Sequence, residues 1–303
     1  MTHPVSVGFG NEDFIREELM RKILLSAAIV SVLAPSAFAE LKLPRTSPKG
    51  SVTQAVGLTD VTITFSRPGV KGRVIWGGLV PYDQVWRTGA NEATTISFSQ
   101  DVTIDGKPLP AGTYSLHTIP KKNAWTIIFN KKADQWGSYE YDGSQDALRV
   151  EVVPTTGPNQ EWMEFSFPEV ATDSARVELA WEKLRVPFTI GTATTQQALA
   201  NIRKELAGEV KEWNVPYSAA NFAFNSNLDN RAEAMKWIDQ SIGLKETFWN
   251  LRLKASMLEK DGKKKDAIAL AEKAVTIGKA NKDNEGEIAK TEKQIAEWKS
   301  TLG

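Results

Sequence analysis

VTITFS, residues 61–66, puts Val61, Ile63 and Phe65 on one side of an extended chain and Thr62, Thr64 and Ser66 on the other. That alternation is the spacing of a half-buried strand. Ile96 and Phe98 repeat it among Thr95, Ser97 and Ser99. Val150 with Val152, Phe165 with Phe167, and Val177 with Leu179 and Trp181 carry it further. In WTIIFN (125–130), Ile128 joins Trp125, Ile127 and Phe129, the composition of a strand buried on both faces. Turn signals fall at Asp105-Gly106, Pro110 to Gly112, Asp142-Gly143 and Gly157-Pro158. Asp105-Gly106 between apolar segments marks a hairpin. This punctuation cuts the region into roughly eight or nine short strands. Residues 40–190 are therefore predicted to form an antiparallel β-sandwich or jelly-roll-like domain.

After Gly191 the apolar period changes to that of helices. Gln196 to Gly208 follows a Thr-rich cap region and predicts the first helix. Ala234, Ile238, Ser241 and Leu244 recur 33 positions later as Ala267, Ala271, Ala274 and Ile277, and Asp229 falls on Gly262. That spacing, with small residues where helices cross, is the pattern of tetratricopeptide-like helix pairs. Two pairs with flanking helices account for Pro216 to Leu302. Too few repeats to stand alone, they are expected to dock on the β domain. The chain is thus read as an α+β multidomain protein, with residues 191–303 as its tetratricopeptide-like α-helical domain.

The N-terminal residues predict export. Arg21 and Lys22 precede an apolar run from Ile23 to Leu33, and Ala37-Phe38-Ala39 has the form of a cleavage site. The apolar run is shorter than the roughly 20 residues that span a bilayer, so no stable membrane anchor is expected after cleavage. Residues 1–39 are read as an upstream extension plus a signal peptide starting at Met20, and the mature chain as periplasmic or secreted from Glu40. Removing 1–39 leaves 34 basic and 33 acidic residues. Such balance gives no electrostatic reason for a nucleic-acid partner. The chain has no cysteine, which excludes disulfides, thiolate nucleophiles and cysteine-bound zinc.

PYDQVWRTGANEATT (81–95) sets Trp86, Arg87, Asn91 and Glu92 around a Gly-Ala turn. SRPGVKGR (66–73) adds Arg67, Lys71 and Arg73. A guanidinium presents a planar fork suited to carboxylate or phosphate. Were strand pairing to bring these segments together, they would form a cationic pocket oriented by Asn91 and Glu92, with Trp86 as a stacking wall. The same groups also suit a structural network, with Arg87 paired to Glu92 and Arg67 tying a Pro-Gly turn to a neighbouring strand. Trp76, Trp86 and Trp125 equally suit a core.

Beyond residue 39 the chain has one histidine, His117, a candidate general base or a satisfied strand histidine. No G-x-S-x-G elbow supports a Ser-His-Asp scheme. Catalytic zinc wants two or three histidines, so neither metal nor cofactor is expected. A calcium or magnesium site built from oxygen ligands stays open at Asp134, Asp142 and Asp146, which lie near glycines without the spacing of a calcium loop. Glu92 with Asp83 or Asp101 offers a carboxylate pair whose separation the sequence does not give.

SPKGSVTQAVGLTDVTITFSRPGVKGR (47–73), PYDQVWRTGANEATTI (81–96), LPAGTYSLHTIP (109–120), WTIIFNK (125–131), QWGSYEYD (135–142) and DALRVEV (146–152) resemble the blocks of the domain of unknown function 2911 family. The resemblance covers nearly all of residues 47–190. It implies an exported bacterial protein, often with a tetratricopeptide-like tail, and no assigned activity. The family pattern carries an aromatic or apolar residue near His117, which sets that histidine apart.

The expected function is a non-catalytic binding module for a small polar or anionic ligand, such as a glycan or envelope fragment. Arg67, Arg73, Trp86, Arg87, Asn91 and Glu92 would bind it, and the helical segment would brace the module or dock a protein partner. Two alternatives stand beside this: an envelope hydrolase using Glu92 and His117 as acid and base, and a purely structural interaction protein.

Overall fold

A computed structural model describes residues 1–3, 43–226 and 230–302. The signal-like segment Met20–Ala39 and Asp229 lie outside them. The chain divides into two compact units, Met1–Pro44 and Arg45–Gly303, and the second carries the strands and helices described below.

Among the described residues, ten strands form two antiparallel sheets. β1 (Lys49–Val56), β2 (Thr59–Ser66), β3 (Thr94–Phe98), β6 (Gly112–Pro120), β7 (Trp125–Asn130) and β8 (Asp146–Val152) make a six-stranded sheet ordered β1-β2-β3-β6-β7-β8. β4 (Val102–Ile104), β5 (Lys107–Leu109), β9 (Thr155–Val170) and β10 (Ser174–Thr192) make a four-stranded sheet ordered β5-β4-β10-β9. The inward residues of both form one core, from Val61, Ile63 and Phe65 to Phe165, Leu179 and Phe188. The alternation in 61–66 is thus one face of a sandwich. Asp105 and Gly106 have φ of +46° and +80° and join β4 to β5, the turn that matches the right-handed twist of its strands.

Two strands depart from the short-strand expectation. β9 and β10 run 16 and 19 residues, and Gly157-Pro158, read as punctuation, lies inside β9. β9 is an edge strand, where a proline removes no needed ladder hydrogen bond.

β7 is buried on both faces. Trp125, Ile127 and Phe129 point to the sandwich core; Ile128 and Asn130, on the opposite face, are also buried. The segment 131–146 stitches over that outer face: Gln135 Nε2 donates to Ser115 Oγ at 3.0 Å, and Asn130 Nδ2 to Asp146 Oδ1 at 2.8 Å.

Six helices follow: α1 (Thr194–Glu205), α2 (Asn214–Asn225), α3 (Arg231–Leu244), α4 (Phe248–Lys260), α5 (Lys264–Asn281) and α6 (Glu285–Ser300). The first starts two residues before the expected Gln196. Ala234, Ile238, Ser241, Ala267, Ala271 and Ala274 are buried, as the 33-residue spacing predicts, whereas Leu244 at the end of α3 is exposed. Thr247 and Asn250 cap α4 reciprocally, Thr247 Oγ1 accepting from Asn250 N and Asn250 Oδ1 from Thr247 N.

A donor-lined cleft at the tryptophan end of the sandwich

β3 stops at Thr94, opposite Leu116, while β6 continues to Pro120. The segment 81–93 takes the vacated place. Trp86 N donates to Thr118 O at 2.8 Å and Thr118 N to Trp86 O at 2.9 Å, so the segment is held as a sheet partner. Holding it there bends the backbone: Asp83, Thr88 and Asn91 all have φ between +53° and +60°. For Thr88, β-branched and fully buried, that conformation is a genuine outlier. Its hydroxyl donates to Trp86 O at 3.3 Å and to Thr118 Oγ1 at 3.2 Å, and its carbonyl accepts from Thr94 Oγ1 at 2.7 Å.

Trp86 enters a cluster with Trp76, Trp125 and Trp181. Trp76 meets the other three edge-on at centroid distances of 4.9–5.9 Å, and Trp86 stacks on Trp181 at 5.8 Å with planes 18° apart. Trp181 belongs to β10, just before a bulge at Glu182.

A cleft of about 400 Å3 opens beside this cluster, of a size that suits a small ligand. Lys71 and Arg73 line it from one loop, Trp86 and Arg87 from the other, Trp181 from β10, with Leu79 at the side. Arg73 uses Nε and Nη2 to hold the carbonyls of Val70 (3.1 Å) and Gly69 (2.5 Å), which fixes the turn. Lys71 Nζ lies over Trp162, 5.7 Å from the ring centroid. Among the described residues no carboxylate pairs with Lys71, Arg73 or Arg87. Glu161, beside the same turn, accepts from the Lys71 backbone N–H at 2.9 Å. Arg87 Nε and Trp181 Nε1 are buried with no acceptor, and so is Trp76 Nε1 in the cluster. Arg87 passes close to Gly137: a Cβ there would meet Arg87 Nη1 at 3.3 Å and the Tyr139 ring at 3.0 Å, and Gly137 has φ +67°. Only glycine admits this approach without strain.

The structure therefore gathers Arg73, Trp86 and Arg87 of the expected binding set, together with Lys71, into one cleft. It places the others elsewhere. Arg67 donates to Met163 O at 2.9 Å and pairs with Glu164 at 3.1 Å, tying β2 to β9. Asn91 Nδ2 donates to Ser47 O (3.2 Å) and Ser66 Oγ (3.3 Å). Glu92 pairs with Arg45, whose Nη1 reaches both carboxylate oxygens at 2.6 and 2.7 Å, and this holds its carboxyl below the usual range. Glu92 lines a second, smaller cleft of about 230 Å3 with Lys49, Asp134 and Gln135.

His117 lines neither cleft. It lies fully buried under the 131–146 segment, its ring 5.1 Å from that of Tyr141 and both nitrogens without partners. Burial pushes its pKa down to about 4, against a smaller opposing pull from Asp146. Tyr141 in turn is pushed up to about 12, by burial and by its hydrogen bond to Asp146 Oδ2 at 2.7 Å. Asp146 also accepts from Arg149 Nε at 2.7 Å, and Asp142 caps a 3₁₀ turn at Gly143–Gln145. Among the described residues no cluster of three or more His, Cys, Asp or Glu could hold a metal ion.

Trp181 is the cleft residue that sequence reasoning left in the core. The alternation from Val177 marked it as inward-facing, but not as lying where the two loops part.

Residues 47–190 match a family model described as protein of unknown function (DUF2911). No curated protein and no solved structure matches the chain.

Proposed function

From the premise that residues 47–190 belong to the DUF2911 family, we propose that the β-sandwich is a binding module for a small anionic ligand such as an acidic envelope fragment. One observation carries this reading: the charged and buried polar side chains lining the cleft are donors. Lys71, Arg73 and Arg87 lack carboxylate partners, and Arg87 Nε and Trp181 Nε1 are buried without acceptors. A buried donor left unpaired costs about 1–3 kcal/mol, which an acceptor-rich ligand would recover. A guanidinium in this position favours a planar carboxylate or a phosphate.

The sequence supports a periplasmic or secreted setting, and the repeating helices α3 to α6 offer a tetratricopeptide-like docking surface for a protein partner. N-terminal sequencing of exported protein tests the setting: Glu40 is expected, and a retained Met1 would refute it. The hydrolase reading receives no support from the geometry, because Glu92 faces Arg45 and His117 is covered.

Thermal melting of the purified chain with phosphate, glucuronate and short carboxylates tests the binding module. A ligand at 100 times its dissociation constant should add about 2.7 kcal/mol of stability, and Arg87→Ala should abolish the effect. If no anion raises the melting temperature, the purely structural reading replaces this one.

A further inference from the structure

The cleft opens beside an apolar surface. Leu79, on its wall, is 46 % exposed, and Val74 is 74 % exposed. The two are joined, Leu79 N donating to Val74 O at 3.0 Å. The knuckle that presents them is held in shape by Val80 N to Ile75 O and Gly77 N to Val80 O, both at 2.9 Å. Trp162, 38 % exposed, lies beneath Lys71 with its ring against Gly69. Cations lining the cleft and fixed apolar groups beside it make an amphiphilic receptor.

Building on the anion-binding reading, we infer that the cleft takes an amphiphilic anion rather than a glycan. Its carboxylate or phosphate head sits among Lys71, Arg73 and Arg87, and its hydrocarbon or aryl body lies on Leu79 and Val74. The acceptor side of the lining separates the two classes. Each hydroxyl of a sugar donates as well as accepts. Among the described residues the lining includes no Asp, Glu, Asn or Gln side chain, and only Thr46 and Ser47 bring acceptor hydroxyls; Glu161 Oε1, against Gly69, already accepts from Lys71 N at 2.9 Å. The nearby carbonyls of Gly69 and Gly89 already accept from Arg73 and from Trp86 Nε1, the latter at 3.2 Å. A polyol would meet donors with donors. An acceptor-only head with an apolar body leaves no such conflict.

Isothermal titration calorimetry of the full chain with butanoate, hexanoate and octanoate tests this, with glucuronate as a hydrophilic anion and octyl glucoside as an uncharged amphiphile. Affinity should rise about fourfold for each methylene that becomes buried. Octanoate should bind far more tightly than glucuronate, and octyl glucoside should give no heat. Val74→Ser with Leu79→Ser should flatten the chain-length series, and Arg87→Met should remove binding of all the carboxylates. Circular dichroism and melting curves establish that each variant is folded. If glucuronate binds as well as octanoate, the amphiphile inference fails and the anion-binding module stands. If no anion binds, both fail. Sedimentation with phosphatidylglycerol vesicles, without heat from octanoate, would assign the head to a membrane lipid and overturn the free-ligand form.

Discussion

Trp86 lies on Trp181 with ring centroids 5.8 Å apart and planes inclined by 18°, so a loop and the longest strand meet through two stacked indoles. This contact joins the wall of the cleft to its floor. Trp86→Ala should cost about 3 kcal/mol of unfolding free energy, the low end for a large aromatic because Trp86 is only partly buried. Trp86→Phe should recover part of that loss. Urea unfolding measures both, and an alanine variant as stable as the wild type would show that the stack is incidental.

Arg87 predicts the opposite sign. Its Nε is buried without an acceptor and its guanidinium has no carboxylate partner among the described residues. Arg87→Met keeps the aliphatic stem and removes the unpaired donor. Unfolding free energy should rise by about 1 kcal/mol, while anion-induced stabilisation disappears. A destabilised Met variant would show that the guanidinium is structural.

Asn91 holds the far side of the same loop with φ +58° and two hydrogen bonds from Nδ2. Asn91→Ala loses both bonds and places a Cβ in the left-handed region without the asparagine's local compensation, so a cost of about 2 kcal/mol is expected. Asn91→Gly loses the bonds but keeps the backbone at ease, and should be about 1 kcal/mol more stable than the alanine variant. Equal melting temperatures for the two would remove backbone conformation from the account.

His117 gives the chain a defined pH response. Its folded pKa of about 4 lies below the ordinary 6.5, because burial disfavours the imidazolium. Between those values the unfolded chain binds the additional proton. The contribution of neutral His117 is therefore complete above about pH 6.5 and is lost as pH falls toward 4, by about 3 kcal/mol in all. His117→Leu should flatten the urea midpoint between pH 7 and 5, where the wild type declines. A variant that keeps the wild-type slope would move the effect to other groups.

Much of the sandwich was legible because each inward side chain leaves a period-two mark, as Val61, Ile63 and Phe65 do. The lengths of β9 and β10 were not. Gly157-Pro158 carries the chemistry of a turn, and it continues as strand because β9 lies at a sheet edge and its register with β10 breaks there, between Gln160 opposite Glu182 and Thr156 opposite Leu184. At the site, Arg73, Trp86 and Arg87 were recognisable as a potential pocket. Which guanidinium stays without a partner depends on residues distant in sequence: Arg67 finds Met163 and Glu164 96 and 97 positions away. Glu92 likewise meets Arg45 from 47 positions away instead of Arg87 within its own loop. Local spacing carries no record of such meetings.

β10 does not end where the helices begin to be needed. Ile190, Gly191 and Thr192 still pair with Ile104, Thr103 and Val102, and Ala193 alone separates them from the first residue of α1. The strand that carries Trp181 thus serves as a spar into the helical segment, with 11 residue steps from Trp181 to Thr192, roughly 36 Å at full extension. No slack tether exists there to isolate the two parts. Cutting the chain after Ile190 would strip β4 of two of its three partners on β10, so a binding module excised at that point would start with a damaged sheet. Load applied at α1 has a covalent, hydrogen-bonded route to the Trp181 indole beside the cleft.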